Sequence, residues 1–243
     1  MKTDWHSEMF CKLVTLGEST TAGGWSTSPD RCWASLLVAL INEFQSTPVE
    51  LFNAGIGANV ISNRSPCYVF SGKPAANERL EEHVTLHQPD LLVVSYGLND
   101  ARGGTPLGLF REELITLLVC VRQKIDPLIV LMGPYYMYDF AAGGQEWSHA
   151  ELSTLYRFNA CIAEIARTEG CLYADVLGAN SETDWMVHYD GVHANDLGHR
   201  IIANRVFEVL AQNCSCLAKC TQQLEKTSPR WRDESTLEVD HRC

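Results

Sequence analysis

The chain has 243 residues, 46% of them apolar, and a formal net charge of −11. That length and apolar share support one large core or two small ones and exclude wholesale disorder. The acidic balance excludes a nucleic-acid binder, which needs clustered Lys and Arg against phosphate, and it argues equally against an anionic membrane surface. Neutral or cationic small molecules suit such a chain better as substrates.

Apolar segments alternate in type along the chain. Lys12–Leu16 reads as a first strand. Residues 31–44 (RCWASLLVALINEF) read as an amphipathic helix, because Trp33, Leu36, Leu37, Leu40, Ile41 and Phe44 recur at helical spacing. Val49–Phe52 is a second short strand, and residues 74–87 a polar helix opened by Pro74. Asp90–Tyr96 is a continuous apolar run, the pattern of a strand buried on both faces. Residues 105–125 read as a helix with a Thr cap and Pro106 at its first position. Leu128–Met132 is the next buried strand. A helix over 146–169 is stopped by Gly170, a fifth strand covers Cys171–Asp175, and a last helix covers 196–212. This order predicts an α/β fold: a three-layer α/β/α sandwich around a central five-stranded parallel sheet. One domain over 1–212 is expected, with 213–243 as a C-terminal extension or tail. The irregular stretches 62–73 and 135–144 have the length of binding loops or lids.

The first residues lack the apolar core of a secretory signal, and no run reaches the roughly 18 apolar residues of a membrane span. A cytoplasmic protein with no membrane span is therefore expected. Its ten cysteines then read as reduced thiols. Cys214, Cys216 and Cys220 cluster, but without paired C-x-x-C or zinc spacing. No metal site is expected, and the cluster reads as a solvent-facing helix end.

In an open α/β sheet, ligands bind at the carboxyl ends of the strands. The segments there are Gly17-Glu18-Ser19, Asn53-Ala54-Gly55-Ile56-Gly57-Ala58, Gly97-Leu98-Asn99-Asp100 and, across a loop, Asp190-Gly191-Val192-His193. The first of these admits three readings: a phosphate cradle, a nucleophilic serine on a turn, or a plain tight connection. A phosphate loop of the G-x-x-x-x-G-K-[ST] type is excluded, because no lysine is present; a flavin phosphate loop stays open. The Asp190/His193 spacing lets a carboxylate hold an imidazole N–H and leave the other nitrogen to take a proton. His188 and His199 are nearby competitors, but His188 lacks an acid three residues before it and His199 falls inside the predicted helix.

Taken together and in this order, the four segments resemble the four blocks of the SGNH hydrolases, the GDSL esterase/lipase family. The resemblance runs from about Lys12 to Gln212. The G-x-S-x-G signature of the α/β-hydrolases is absent. The resemblance implies a flavodoxin-like SGNH fold, a Ser19 nucleophile, a His193 base oriented by Asp190, and an oxyanion hole from the N–H groups of Ser19 and Ala58 and the side chain of Asn99. It implies a small-molecule ester substrate and no cofactor or metal. Two positions depart from the family pattern: Glu18 stands where Asp is usual, and Ala58 where Gly is usual. Trp25, the loop residues 135–138, Trp185 and His188 are candidate walls of a pocket for short acyl esters, acetylated carbohydrate among them. Lysophospholipid and thioester substrates, and a catalytically silent carbohydrate-binding relative, are the alternatives.

Overall fold

The computed structural model describes residues 2–228. Five short apolar segments form one all-parallel sheet: β1 (Lys12–Gly17), β2 (Glu50–Gly55), β3 (Leu91–Ser95), β4 (Leu128–Met132) and β5 (Leu172–Ala174), in the order β2-β1-β3-β4-β5. Register pairs Leu13 with Leu91 and Leu91 with Leu128, so aliphatic side chains run in rows across the sheet. Every residue of β3 and β4 is buried, as a sheet covered on both faces requires. The order reverses between β1 and β3: the chain leaves β1 toward β2, then returns to build outward from the other side. That switch opens a crevice at the carboxyl ends of β1 and β3.

Ten helices are present among the described residues. The short ones are α1 (Ser19–Ala22), α3 (Tyr68–Ser71), α4 (Leu80–His83), α5 (Leu98–Arg102) and α8 (Val176–Asn180). The longer ones are α2 (Trp33–Asn42), α6 (Leu107–Arg122), α7 (Leu152–Thr168), α9 (Asp196–Asn213) and α10 (Cys216–Glu225). α2 packs on α9 and α6 on α7. The right-handed crossover rule for parallel strands assigns these pairs to the two helical layers of the sandwich.

Several boundaries differ from expectation, each for a tertiary reason. Residues 74–87 are not one helix: α4 is flanked by 3-10 turns at Ala76–Glu78 and Thr85–His87. The break falls at Arg79, whose φ of −121° leaves the helical region while its side chain turns into the core. Thr105 caps no helix; its hydroxyl donates to the Asp100 carboxylate at 3.0 Å, and α6 starts two residues later. The helix expected from 146 starts at Leu152, after a 3-10 turn at Gln145–Trp147. β2 extends three residues past Phe52, which puts Asn53 inside the strand.

The cysteine cluster is not solvent-facing: Cys214 and Cys216 are buried. The N-terminal segment holds them in place, with Asp4 accepting from the N–H and hydroxyl of Ser215 and Trp5 N–H donating to Asn213 O at 2.9 Å. Among the described residues, no helix is long and apolar enough to cross a membrane, and no group of His, Cys, Asp and Glu is placed to hold a metal ion. Most of the charged segment expected as a tail lies outside the described residues.

Candidate active site

The turn after β1 is built by close approach. α1 lies against β2 so tightly that a Cβ on Gly55 would sit 2.1 Å from Ala22 N, and one on Gly17 would sit 2.2 Å from the Thr21 hydroxyl. Asn53 ties the same elements, donating through Nδ2 to Thr21 O at 2.8 Å and accepting from Gly55 N–H through Oδ1 at 3.0 Å. Ser19 is the first residue of α1, so no helical carbonyl precedes it to take its N–H.

Glu18 braces this turn against the next strand. One carboxyl oxygen accepts the N–H groups of Gly97 (3.2 Å) and Asn99 (3.0 Å). The side chain is fully enclosed; burial first, and the nearby Asp100 second, hold its pKa well above the ordinary carboxylate range. Asp100 is also enclosed and pushed up to about 6 by burial, against the lowering effect of bonds from Ser65, Ile61 and Thr105. Its two oxygens anchor the residue-61–65 loop to α5 through Ile61 N–H (3.0 Å) and the Ser65 hydroxyl (2.8 Å).

The loop before α9 delivers the imidazole. His193 Nε2 lies 2.9 Å from Ser19 Oγ, and its Nδ1 lies 2.6 Å from Asp190 Oδ2. The other Asp190 oxygen accepts the N–H groups of Val192 and His193, both at 3.0 Å. Burial acts to raise the Asp190 pKa, but these N–H groups and the His193 ring outweigh it and lower it to about 2. Burial is also the main influence on His193 and lowers it below the ordinary histidine value, with Asp190 opposing. The Trp25 indole stacks on the imidazole, 3.4 Å between ring centroids and 5° between planes, which fixes the plane of the ring.

The competing histidines have other partners. His199 is buried in α9, its Nδ1 accepts the N–H of Trp33 at 3.3 Å at the start of α2, and burial lowers it to about 4. His188 accepts the Asp190 N–H on its Nδ1 at 3.4 Å and lies 3.5 Å from Asp190 Oδ1, the oxygen that the His193 ring does not bond.

Ser19, His193, Asp190, Ala58 and Asn99 all line one cleft of about 330 Å³. Asn99 spends one Nδ2 hydrogen on Asn59 O at 3.1 Å, which leaves the second for the cleft. Ala58 holds a left-handed φ of 54°, the conformation that glycine adopts freely. Of the expected walls, Trp25 lines the cleft. Residues 135–138 do not: Tyr135 and Tyr136 are buried and bond Met186 O and Asp184 (2.8 Å each), packing one loop on another. Trp185 projects from the surface at 75% exposure and is not a wall either. The same loop contributes Ala142 and Gly143 further along, and Trp147 and Arg102 complete the lining.

Arg79 joins the site from behind. Its buried guanidinium donates to Ala54 O (2.7 Å), Gly17 O (3.2 Å), Asn59 Oδ1 (3.2 Å) and the Tyr96 hydroxyl (2.6 Å). It thereby ties the ends of β1 and β2 and the residue after β3 to the loop that carries Ala58. No sequence signal marks it, since it sits in a polar stretch that reads as an ordinary surface helix.

Structural comparison finds the same architecture in known hydrolases. A lipase/acylhydrolase from Enterococcus faecalis aligns with a TM-score of 0.66 at 20% identity, covering 83% of this chain and 96% of its own. An acetylxylan esterase from Geobacillus stearothermophilus aligns with a TM-score of 0.62 at 19% identity, covering 86% of this chain and 96% of its own. At that identity the likeness shows the fold alone. A comparison with curated proteins finds no match. The sequence profile of the GDSL-like lipase/acylhydrolase family matches residues 15–201, from the middle of β1 into α9, and so takes in all four strand-end segments. The chain belongs to the GDSL-like lipase/acylhydrolase family.

Proposed function

We propose that this protein is a serine ester hydrolase that works through an acyl-enzyme on short-chain acyl esters. The observation that carries the reading is the unbroken relay from Ser19 Oγ to His193 Nε2 and from His193 Nδ1 to Asp190, opening onto a cleft shared with Ala58 and Asn99. A neutral His193 takes the Ser19 proton as Oγ attacks the ester carbonyl. Asp190, ionised across the working range, keeps the remaining imidazole proton on Nδ1 and stabilises the imidazolium that forms. The developing oxyanion is held by the N–H groups of Ser19 and Ala58 and by the free Nδ2 hydrogen of Asn99. His193 then protonates the departing alcohol, and a water molecule repeats the sequence on the acyl-enzyme.

The modest cleft, flanked by Trp25 and Trp147, suits an acetyl or similarly short acyl group, and the flat indoles suit the face of a sugar. The acetylxylan esterase among the structural neighbours supports acetylated carbohydrate as the substrate class. The test is Ser19→Ala on esters graded by acyl length and alcohol type. Wild-type protein should turn over acetyl esters fastest, and the variant should lose about 10³-fold or more in kcat. A variant that keeps wild-type turnover assigns the chemistry elsewhere.

A further inference from the structure

Arg102, at the end of α5, reaches into the cleft that holds Ser19 and His193. It is only 7% exposed. A guanidinium this enclosed normally faces a carboxylate. Here no carboxylate lies within ion-pair distance among the described residues. Its two terminal nitrogens carry four hydrogens and make two bonds: Nη2 to Ala142 O at 2.6 Å, and Nη1 to Asn99 Oδ1 at a long 3.5 Å. Trp147 flanks the group with its ring centroid 6.0 Å from Cζ. Three acids act on it from a distance, and each is engaged elsewhere: Glu18 accepts two backbone N–H groups, Asp139 accepts the Ala141 N–H at 3.1 Å, and Asp190 is turned toward His193. Gly143 keeps the approach narrow but open, since a Cβ there would lie 3.2 Å from Nη2.

We infer that Arg102 is the anchor of an anion subsite, and that the substrate is an ester carrying a carboxylate close to its scissile bond. The inference rests on the hydrolytic reading above and narrows its substrate class. The two unspent Nη hydrogens form a fork suited to a planar carboxylate. The chain's overall acidity does not oppose this locally, because exposed charges more than about 8 Å away are screened while an enclosed guanidinium is not. The carboxylate belongs either to the acyl part, as in a half-ester of a dicarboxylic acid, or to the alcohol part, as in an acylated hydroxy or sugar acid.

Two isosteric pairs separate these sources: the half-ester phenyl succinate against its terminal amide, and meta-acetoxybenzoate against meta-acetoxybenzamide. Wild-type kcat/KM should favour the carboxylate member of one pair by about tenfold to hundredfold, the span of a charge-assisted hydrogen bond. The preferred pair identifies the side that bears the anion. Arg102→Gln should abolish the preference, and Arg102→Lys should restore part of it. The same pairs titrated calorimetrically into Ser19→Ala read binding without chemistry. A preference for the carboxylate that vanishes in the Ser19→Ala, Arg102→Gln double variant sustains the subsite even if no ester is turned over, and in that case the hydrolytic reading alone fails. Equal handling of both members of both pairs, in turnover and in binding, overturns the inference, as does a preference that survives Arg102→Gln.

Discussion

Asp190→Asn tests the relay most sharply, because the local bonds dictate how the variant must sit. In the native loop one Asp190 oxygen accepts two N–H groups at 3.0 Å and the other faces His193 Nδ1 at 2.6 Å. An asparagine keeps its carbonyl oxygen on the two N–H groups, since turning it round would set an NH₂ against both donors. Its NH₂ then faces Nδ1, which must become an acceptor, and the ring proton moves to Nε2, the nitrogen 2.9 Å from Ser19 Oγ. A protonated Nε2 cannot take the serine proton. The expected loss is about 10⁴-fold in kcat, or about 5.4 kcal/mol of barrier at 1.36 kcal/mol per decade. Melting temperature should change little, because both backbone donors keep an acceptor. The pH profile gives a second readout. In the wild type, burial lowers His193, so the acid limb of kcat/KM should fall below the ordinary value of about 6.5. Removing the Asp190 charge removes an influence that raises His193, so the variant's residual acid limb should fall lower still. The assay is hydrolysis of para-nitrophenyl acetate from pH 4 to 9, with the downfield Nδ1 proton followed by NMR. A variant within about tenfold of wild-type kcat, or one that retains the Nδ1 proton, refutes the relay.

Two further substitutions test the family departures. Ala58→Gly removes a left-handed alanine, worth roughly 1–2 kcal/mol, and gives back about 0.4–1 kcal/mol through the freer unfolded chain. The net gain should raise the melting temperature by about 1–4 °C in a thermal unfolding scan, and a fall would show that Ala58 is unstrained. Glu18→Gln tests the buried carboxyl. Because burial raises the folded pKa of Glu18, its contribution is full below the unfolded value of about 4.3 and is lost as pH rises through the folded value. Glutamine keeps the acceptor for Gly97 and Asn99 and does not ionise. Urea unfolding should therefore show the variant gaining on wild type from pH 5 to pH 8, and a difference constant with pH would contradict the assigned burial.

Elements whose fate is set by local apolar pattern were readable from the chain. Leu128–Met132 is a strand with the expected ends, and β1 and β3 shift by a residue or so, because a run buried on both faces leaves little choice of state. Residues 74–87 were not readable as they fold, since nothing local announces that Arg79 will leave the surface and break the helix to reach Gly17 and Ala54. Among the site residues, those the family blocks name converge on one cleft. Arg102 stands three residues after Asn99 and lines the same cleft, but it falls outside the four strand-end segments. The tyrosines of 135–138 read as pocket walls because aromatic loops often are; their hydroxyls instead find Met186 and Asp184 across the loop. Pattern reports what a segment does with its own neighbours, whereas a buried polar side chain is placed by partners remote in sequence.

Those buried polar groups are also what holds the cleft in shape. Three strand ends meet there, with buried carbonyls and N–H groups at and just past the end of the ladder. Gly17 O also accepts the Ile56 N–H at 3.0 Å, but an apolar filler in place of Glu18 would leave the N–H groups of Gly97 and Asn99 without their partner, at about 1–3 kcal/mol apiece. Arg79 takes the carbonyls of Gly17 and Ala54, while Glu18 takes the N–H groups of Gly97 and Asn99. One side chain thus satisfies acceptors and the other donors, and both draw Ser19 and Asn99 to the same edge. The longer reach of glutamate fits this task, since its carboxyl must span from the turn after β1 to the first turn of α5. The substitution at position 18 therefore keeps a bracing function by a longer arm, and its expected cost falls on pH-dependent stability rather than on the placement of Ser19.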